Sequence, residues 1–67
     1  MLIIVNGKKL DLKGSPTVLN MLELINVTSI SGIAIAVNNS VVIKGEWDNF
    51  VLRENDSIVL IRATQGG

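Results

Sequence analysis

Apolar and polar positions alternate in short bursts along this chain, and dense turn signals separate them. Leu2 to Val5 is a continuous aliphatic run with β-branched Ile3, Ile4 and Val5. That pattern suits a strand buried on both faces. Asn6-Gly7 follows, the strongest short hairpin signal, because a type I′ turn needs positive φ at both central residues. Lys8 to Leu12 then alternates, with Leu10 and Leu12 on one face and Lys9, Asp11 and Lys13 on the other. This predicts a half-exposed partner strand. Gly14-Ser15-Pro16-Thr17 breaks the pattern. Either Ser15 caps a helix with Pro16 in its first turn, or Thr17 is itself the cap. Val18, Leu22 and Ile25 then repeat at i, i+4, i+7 with Met21 beside them, one apolar helical stripe.

Asn26 to Gly32 is a polar, β-branched connection. Ile33-Ala34-Ile35-Ala36-Val37 alternates large and small residues, as in a strand that packs its large side chains on one face. Asn38-Asn39 reads as a turn, Val41-Val42-Ile43 as a short strand and Glu54-Asn55-Asp56 as a second turn. Ser57 to Ala63 is the last strand, with Ile58 and Leu60 on one face and Val59, Ile61 and Ala63 on the other. The order is strand, strand, helix, strand, strand, strand. One helix covers one face of a mixed five-stranded sheet, a two-layer α+β domain. The aliphatic last strand belongs at the sheet centre, beside the first strand and parallel to it. That arrangement is the ubiquitin-like β-grasp, here a single domain over residues 1–67 with a flexible tail at about 64–67.

Composition removes most side-chain chemistry. The 67 residues include no Cys and no His, and six basic residues balance six acidic ones. A disulfide scaffold, a thiolate metal site, a cysteine nucleophile and an imidazole base are all excluded. No metal site is expected. A net charge of zero gives no footprint for nucleic acid. No apolar run approaches the ~20 residues of a membrane span, and the N-terminus lacks a basic region and a cleavage site. The expected location is the cytoplasm, with no membrane partner. A domain of about 60 residues buries only about 60% of the surface its unfolded chain exposes. At 48% hydrophobic residues, some aliphatic surface is expected outside, either contiguous, the mark of a partner interface, or scattered, as on any protein.

The remaining candidate for chemistry is the C-terminus. Gly66-Gly67 follows closely on an aliphatic strand. At ordinary glycine usage, two terminal glycines arise by chance in about 0.5% of chains. The bland alternatives are a frayed end or a processing scar. A glycine pair lacks Cβ, so it fits a narrow channel and takes any φ required there. Its α-carboxylate is inert until activated. Attack on the α-phosphorus of ATP makes an acyl-adenylate, and a sulfur or amine nucleophile then displaces AMP. This chain holds no thiol or imidazole for that step, so the nucleophile comes from elsewhere.

The residues resemble those of the sulfur carrier proteins of thiamine (thiazole) biosynthesis, the ThiS family. The likeness comprises Asn6-Gly7 after the first strand, Thr17-Val18 opening the helix with Leu22 inside it, and Ala34-Ile35-Ala36-Val37-Asn38. Trp47, the Asp56-x-Ile58 start of the last strand and Gly66-Gly67 complete it. Ile43-Lys44 stands where several relatives carry Pro-Arg, and Asn55-Asp56 where Gly-Asp is common. The resemblance implies a carrier and co-substrate rather than an enzyme. It implies that an adenylating (E1-like) enzyme activates Gly67 with ATP and magnesium, and that the carrier binds no cofactor itself. A cysteine desulfurase system then supplies persulfide sulfur, the Gly67 carboxylate becomes a thiocarboxylate, and thiazole synthase takes the sulfur. Gly66, Gln65 and Thr64 form the tail that threads into the partner. The expected interface is the open face of the sheet, with Arg62, Leu60, Ile58 and Trp47 as candidates. Trp47 has a second reading as a core or lid residue. The alternatives are the small subunit of molybdopterin synthase, a ubiquitin-like modifier, and a β-grasp interaction module with an idle tail.

Overall fold

The computed structural model describes residues 1–27 and 31–62. Strands β1 (Leu2–Val5), β2 (Lys8–Asp11), β3 (Ile33–Val37), β4 (Ser40–Val42) and β5 (Ser57–Arg62) form one sheet. Helix α1 (Val18–Leu24) follows β2. The strand order is β2-β1-β5-β3-β4. β5 pairs parallel to β1, with Val5 opposite Ile58. It pairs antiparallel to β3 from Val37–Ile58 to Ile33–Arg62. The expected β-grasp topology, with the last strand central, is the one observed.

Turn chemistry follows the residues. Asn6 and Gly7 sit at φ 50° and 81°, and Asn38 and Asn39 at 50° and 70°. Both hairpins therefore use the positive-φ pair that the right-handed twist of flanking strands favours. Asn55 takes φ 67° in the turn before β5. β4 begins at Ser40 and ends at Val42, so Ile43 lies outside the strand. It precedes a single 3-10 turn over Lys44–Glu46.

Helix α1 has seven residues, too few to be stable alone. Its ends are closed by specific bonds. Thr17 is the cap: its hydroxyl accepts from Asn20 N–H at 3.1 Å, and the Asn20 side chain accepts from Thr17 N–H at 3.2 Å. This is a capping box with Asn in the place usually taken by Glu or Gln. The donors of Val18 and Leu19 reach the carbonyls of Phe50 and Trp47 at 2.9 and 3.0 Å. The first-turn N–H groups, orphans in an isolated helix, thus all have acceptors. At the other end Asn26, at φ 64°, donates to Glu23 O and Val27 donates to Leu22 O. That pair is a Schellman closure.

The core lies between α1 and one face of the sheet. Ile3, Ile35, Val37, Val42 and Ile58 face Val18, Met21 and Leu22 there, with Leu12, Leu52 and Trp47 filling the remainder. Trp47 is 2% exposed, and its indole Nε1–H donates to Val42 O at 2.9 Å. A buried indole needs such an acceptor. Among the described residues, no buried polar side-chain atom lacks a partner.

Two outcomes test this packing. Thr17→Ala removes the cap, which costs about 1 kcal/mol and lowers the melting temperature by about 4–8 °C in a domain of this size. Circular dichroism melts read that shift. Trp47→Ala deletes the largest core side chain, at a cost of about 3–5 kcal/mol. Its expected signature is loss of the cooperative urea transition, and retention of a wild-type midpoint would contradict the core assignment.

Candidate functional site

The last strand, β5, leads toward the terminal glycines of the sequence, and it is held from both sides. At its start the Asn38 side chain accepts from Ser57 N–H at 3.0 Å and donates to Asp56 Oδ1 at 2.9 Å. Asp56 Oδ2 in turn accepts from Arg53 N–H at 2.8 Å. Further along, Asn6 N–H donates to Ile58 O at 2.9 Å. The Asn6 side chain then accepts from Leu60 N–H at 2.8 Å and donates to Leu60 O at 3.3 Å. By local sequence rules Asn6 is a turn former. Its contact with Leu60 carries no signal in the sequence, because it spans 54 positions.

The two faces of β5 separate sharply. Ile58 is fully buried and Leu60 packs against the core. Val59 and Ile61 are 40% and 58% exposed on the opposite face. Their register partners on β3 are the small Ala36 and Ala34, and Ala36 is paired in turn with Val41 of β4, 76% exposed. The open face thus presents Val41, Val59 and Ile61 with the small Ala34 and Ala36 between and beside them.

This corrects part of the expected interface. Ile58 and Trp47 belong to the core and are not available to a partner, so for Trp47 the core reading holds and the interface reading does not. For Ile58 the cause is the two-residue period of a strand: the expectation selected the side of β5 that the helix covers. For Trp47 the cause is the 3-10 turn and following segment, which carry the indole under the helix start. Leu60 is half-buried on that same covered side. Arg62 is exposed and stands opposite Ile33 at the end of the described strand. Thr64, Gln65, Gly66 and Gly67 lie outside the described residues, as does Ala63.

Among the described residues, no group of three or more His, Cys, Asp or Glu side chains is gathered to hold a metal ion. None of the described helices is long and apolar enough to cross a membrane. The arrangement that remains is a folded body with an apolar open face, and a central strand leading to the diglycine of the sequence.

The chain is similar in structure to the thiamine biosynthesis protein (ThiS) from Geobacter metallireducens. Its crystal structure aligns over 100% of both chains at a TM-score of 0.86 and 23% identity. The solution structure of a thiamine biosynthesis protein from the same organism aligns over 100% of this chain and 88% of that one, at a TM-score of 0.80 and 23% identity. Both share the β-grasp fold. No curated protein sequence matches the chain. The sequence model of the ThiS family matches residues 3–67, from the second residue of β1 through the helix and the other described strands to the terminal glycines, and on that match the chain belongs to the ThiS family.

Proposed function

We propose that this protein is a sulfur carrier for thiazole formation in thiamine biosynthesis, acting as a co-substrate of partner enzymes. The observation that supports this most directly is the family match, which runs unbroken to Gly67. The chemistry then follows from what the chain contains and lacks. The Gly67 carboxylate attacks the α-phosphorus of ATP held with magnesium by an adenylating partner, and pyrophosphate leaves. A persulfide sulfur, supplied by a cysteine desulfurase system, attacks the acyl carbon and displaces AMP. A second thiol cleaves the resulting acyl disulfide, leaving the thiocarboxylate. With no Cys and no His in the sequence, the chain's own contribution is the Gly67 carboxylate, and both sulfur nucleophiles belong to partners. Thiazole synthase receives the loaded end.

Gly66 has no Cβ and lets the chain pass a narrow channel, with Thr64 and Gln65 as the extended segment behind it. The body serves as the handle. Its open face, centred on Val59, Ile61 and Val41, is the surface we assign to docking on the adenylating enzyme. Arg62 alternates to the side of Ile58 and Leu60 but is exposed at the end of β5, where it is suited to an acidic rim beside the tail.

Incubation with the cognate adenylating enzyme, ATP and a persulfide donor is expected to raise the intact mass by the difference between sulfur and oxygen. Peptide mapping should confine the change to the C-terminal peptide. Absence of the gain with a complete partner set contradicts the carrier reading, as does full loading of a chain lacking Gly67. Ile61→Glu tests the handle. At an exposed position it leaves stability within about 0.5 kcal/mol, while an interface centre loses about 2 kcal/mol or more. Affinity for the adenylating enzyme should therefore fall more than about tenfold with an unchanged melting temperature. Calorimetric titration showing undiminished affinity would place the docking surface elsewhere.

A further inference from the structure

In a parallel ladder, a residue donates its N–H to one position of the neighbouring strand and accepts, through its carbonyl, from the position two further on. β1 follows that rule as far as it runs. Ile4 N–H donates to Asp56 O, and Asn6 N–H donates to Ile58 O, each at 2.9 Å. The next acceptor in the series is the Asn6 carbonyl, for Leu60 N–H. Instead Asn6 takes φ 50° and the chain turns back into β2. The Asn6 side-chain amide supplies the missing step. Oδ1 accepts from Leu60 N–H at 2.8 Å, and Nδ2–H donates to Leu60 O at 3.3 Å. One side chain thereby stands in for a peptide carbonyl and for the following peptide N–H. Past Leu60, the described pairing of β5 is with β3 alone, through Ala34–Ile61 and Ile33–Arg62.

We propose that Asn6 is a positioning residue for the C-terminal arm. By extending the β1 side of the ladder to Leu60, it sets the direction in which β5 carries the chain at Arg62, and so the aim of the terminus toward the adenylating site. The inference rests on the sulfur-carrier reading, in which that aim governs a rate. Asn6 is chosen by two demands at once. The turn needs a residue that tolerates positive φ, and the ladder needs an amide with both an acceptor and a donor. Asp meets the first demand and half of the second. Gly meets the first alone.

Asn38 provides a matched control. It too sits at φ 50° before a second positive-φ residue, and its side chain also makes two hydrogen bonds to the β5 region. Those bonds lie at the opposite end of β5 from Arg62.

The experiment compares Asn6→Gly, Asn6→Asp and Asn38→Gly with the wild type, using the full chain, the cognate adenylating enzyme and ATP. Both glycine variants keep the turn backbone unstrained and should lose similar stability. In Asn6→Gly, exchange protection of the Leu60 amide is expected to fall about tenfold relative to other β5 amides. Its kcat for adenylation is expected to fall about tenfold, with KM unchanged because the open face is intact. Asn6→Asp keeps the acceptor for Leu60 N–H and should fall between Asn6→Gly and wild type. Asn38→Gly should keep wild-type kcat. Equal kcat in the two glycine variants, or a loss in Asn6→Gly expressed only in KM, overturns the positioning role. Failure of the wild type itself to be adenylated refutes the carrier reading and this inference with it, a result distinct from a wild type that loads alongside an Asn6→Gly variant that loads equally well.

Discussion

The pairing of β5 between β1 and β3 is the constraint on which the rest of this structure depends. It joins residues near the two ends of the sequence, since Ile4 stands opposite Ser57 and Val5 opposite Ile58. Closing so long a loop is entropically unfavourable. Full burial of Ile58 and Ile3 offsets part of that cost through apolar area removed from water. A parallel pair also needs a crossover, and the segment that makes it carries α1 over the same face of the sheet. The helix, the strand order and the position of the C-terminal strand are therefore one decision rather than three.

The helix is the weakest element on its own terms and depends most on its surroundings. Seven residues do not repay nucleation in water. The segment after β4 supplies what is missing. The carbonyls of Trp47 and Phe50 accept the first helical N–H groups, and Leu52 N–H donates back to Pro16 O. The Trp47 indole fills the space beneath and bonds Val42 O. Apolar packing and the satisfaction of backbone donors come from the same stretch of chain. Aromatic residues are 3% of the sequence, so a single indole carries much of this core.

The body offers little side-chain chemistry, and that suits a carrier. In the proposed carrier role the reacting group is the backbone terminus, which needs no catalytic pocket in its own domain. It needs a strand rigid enough to orient it and a surface by which another protein holds the domain. β5 meets both needs through its alternation, since Ile58 and Leu60 anchor the strand inward while Val59 and Ile61 face outward. Ala34 and Ala36 beside them on β3 keep the open face low. A helix on that side would bury these residues, and the two-layer architecture leaves them available.

Much of this protein is legible in its sequence. The hairpin at Asn6-Gly7, a helix cap at Ser15 or Thr17, the helical stripe of Val18, Met21 and Leu22, and the alternation of β3 all rest on contacts within a few residues. Local steric and hydrogen-bonding rules therefore suffice for them. Topology followed because an aliphatic last strand has one well-covered place to go. Alternation along β5 defines two faces but not which of them the helix will cover, so Ile58 was open to assignment on either side. Trp47 was equally open between surface and core until the crossing segment carried it under the helix. The bond between Asn6 and Leu60 exists only once β1 and β5 lie side by side. Short-range preference set the pieces; long-range packing decided which of their surfaces meet each other and which stay exposed.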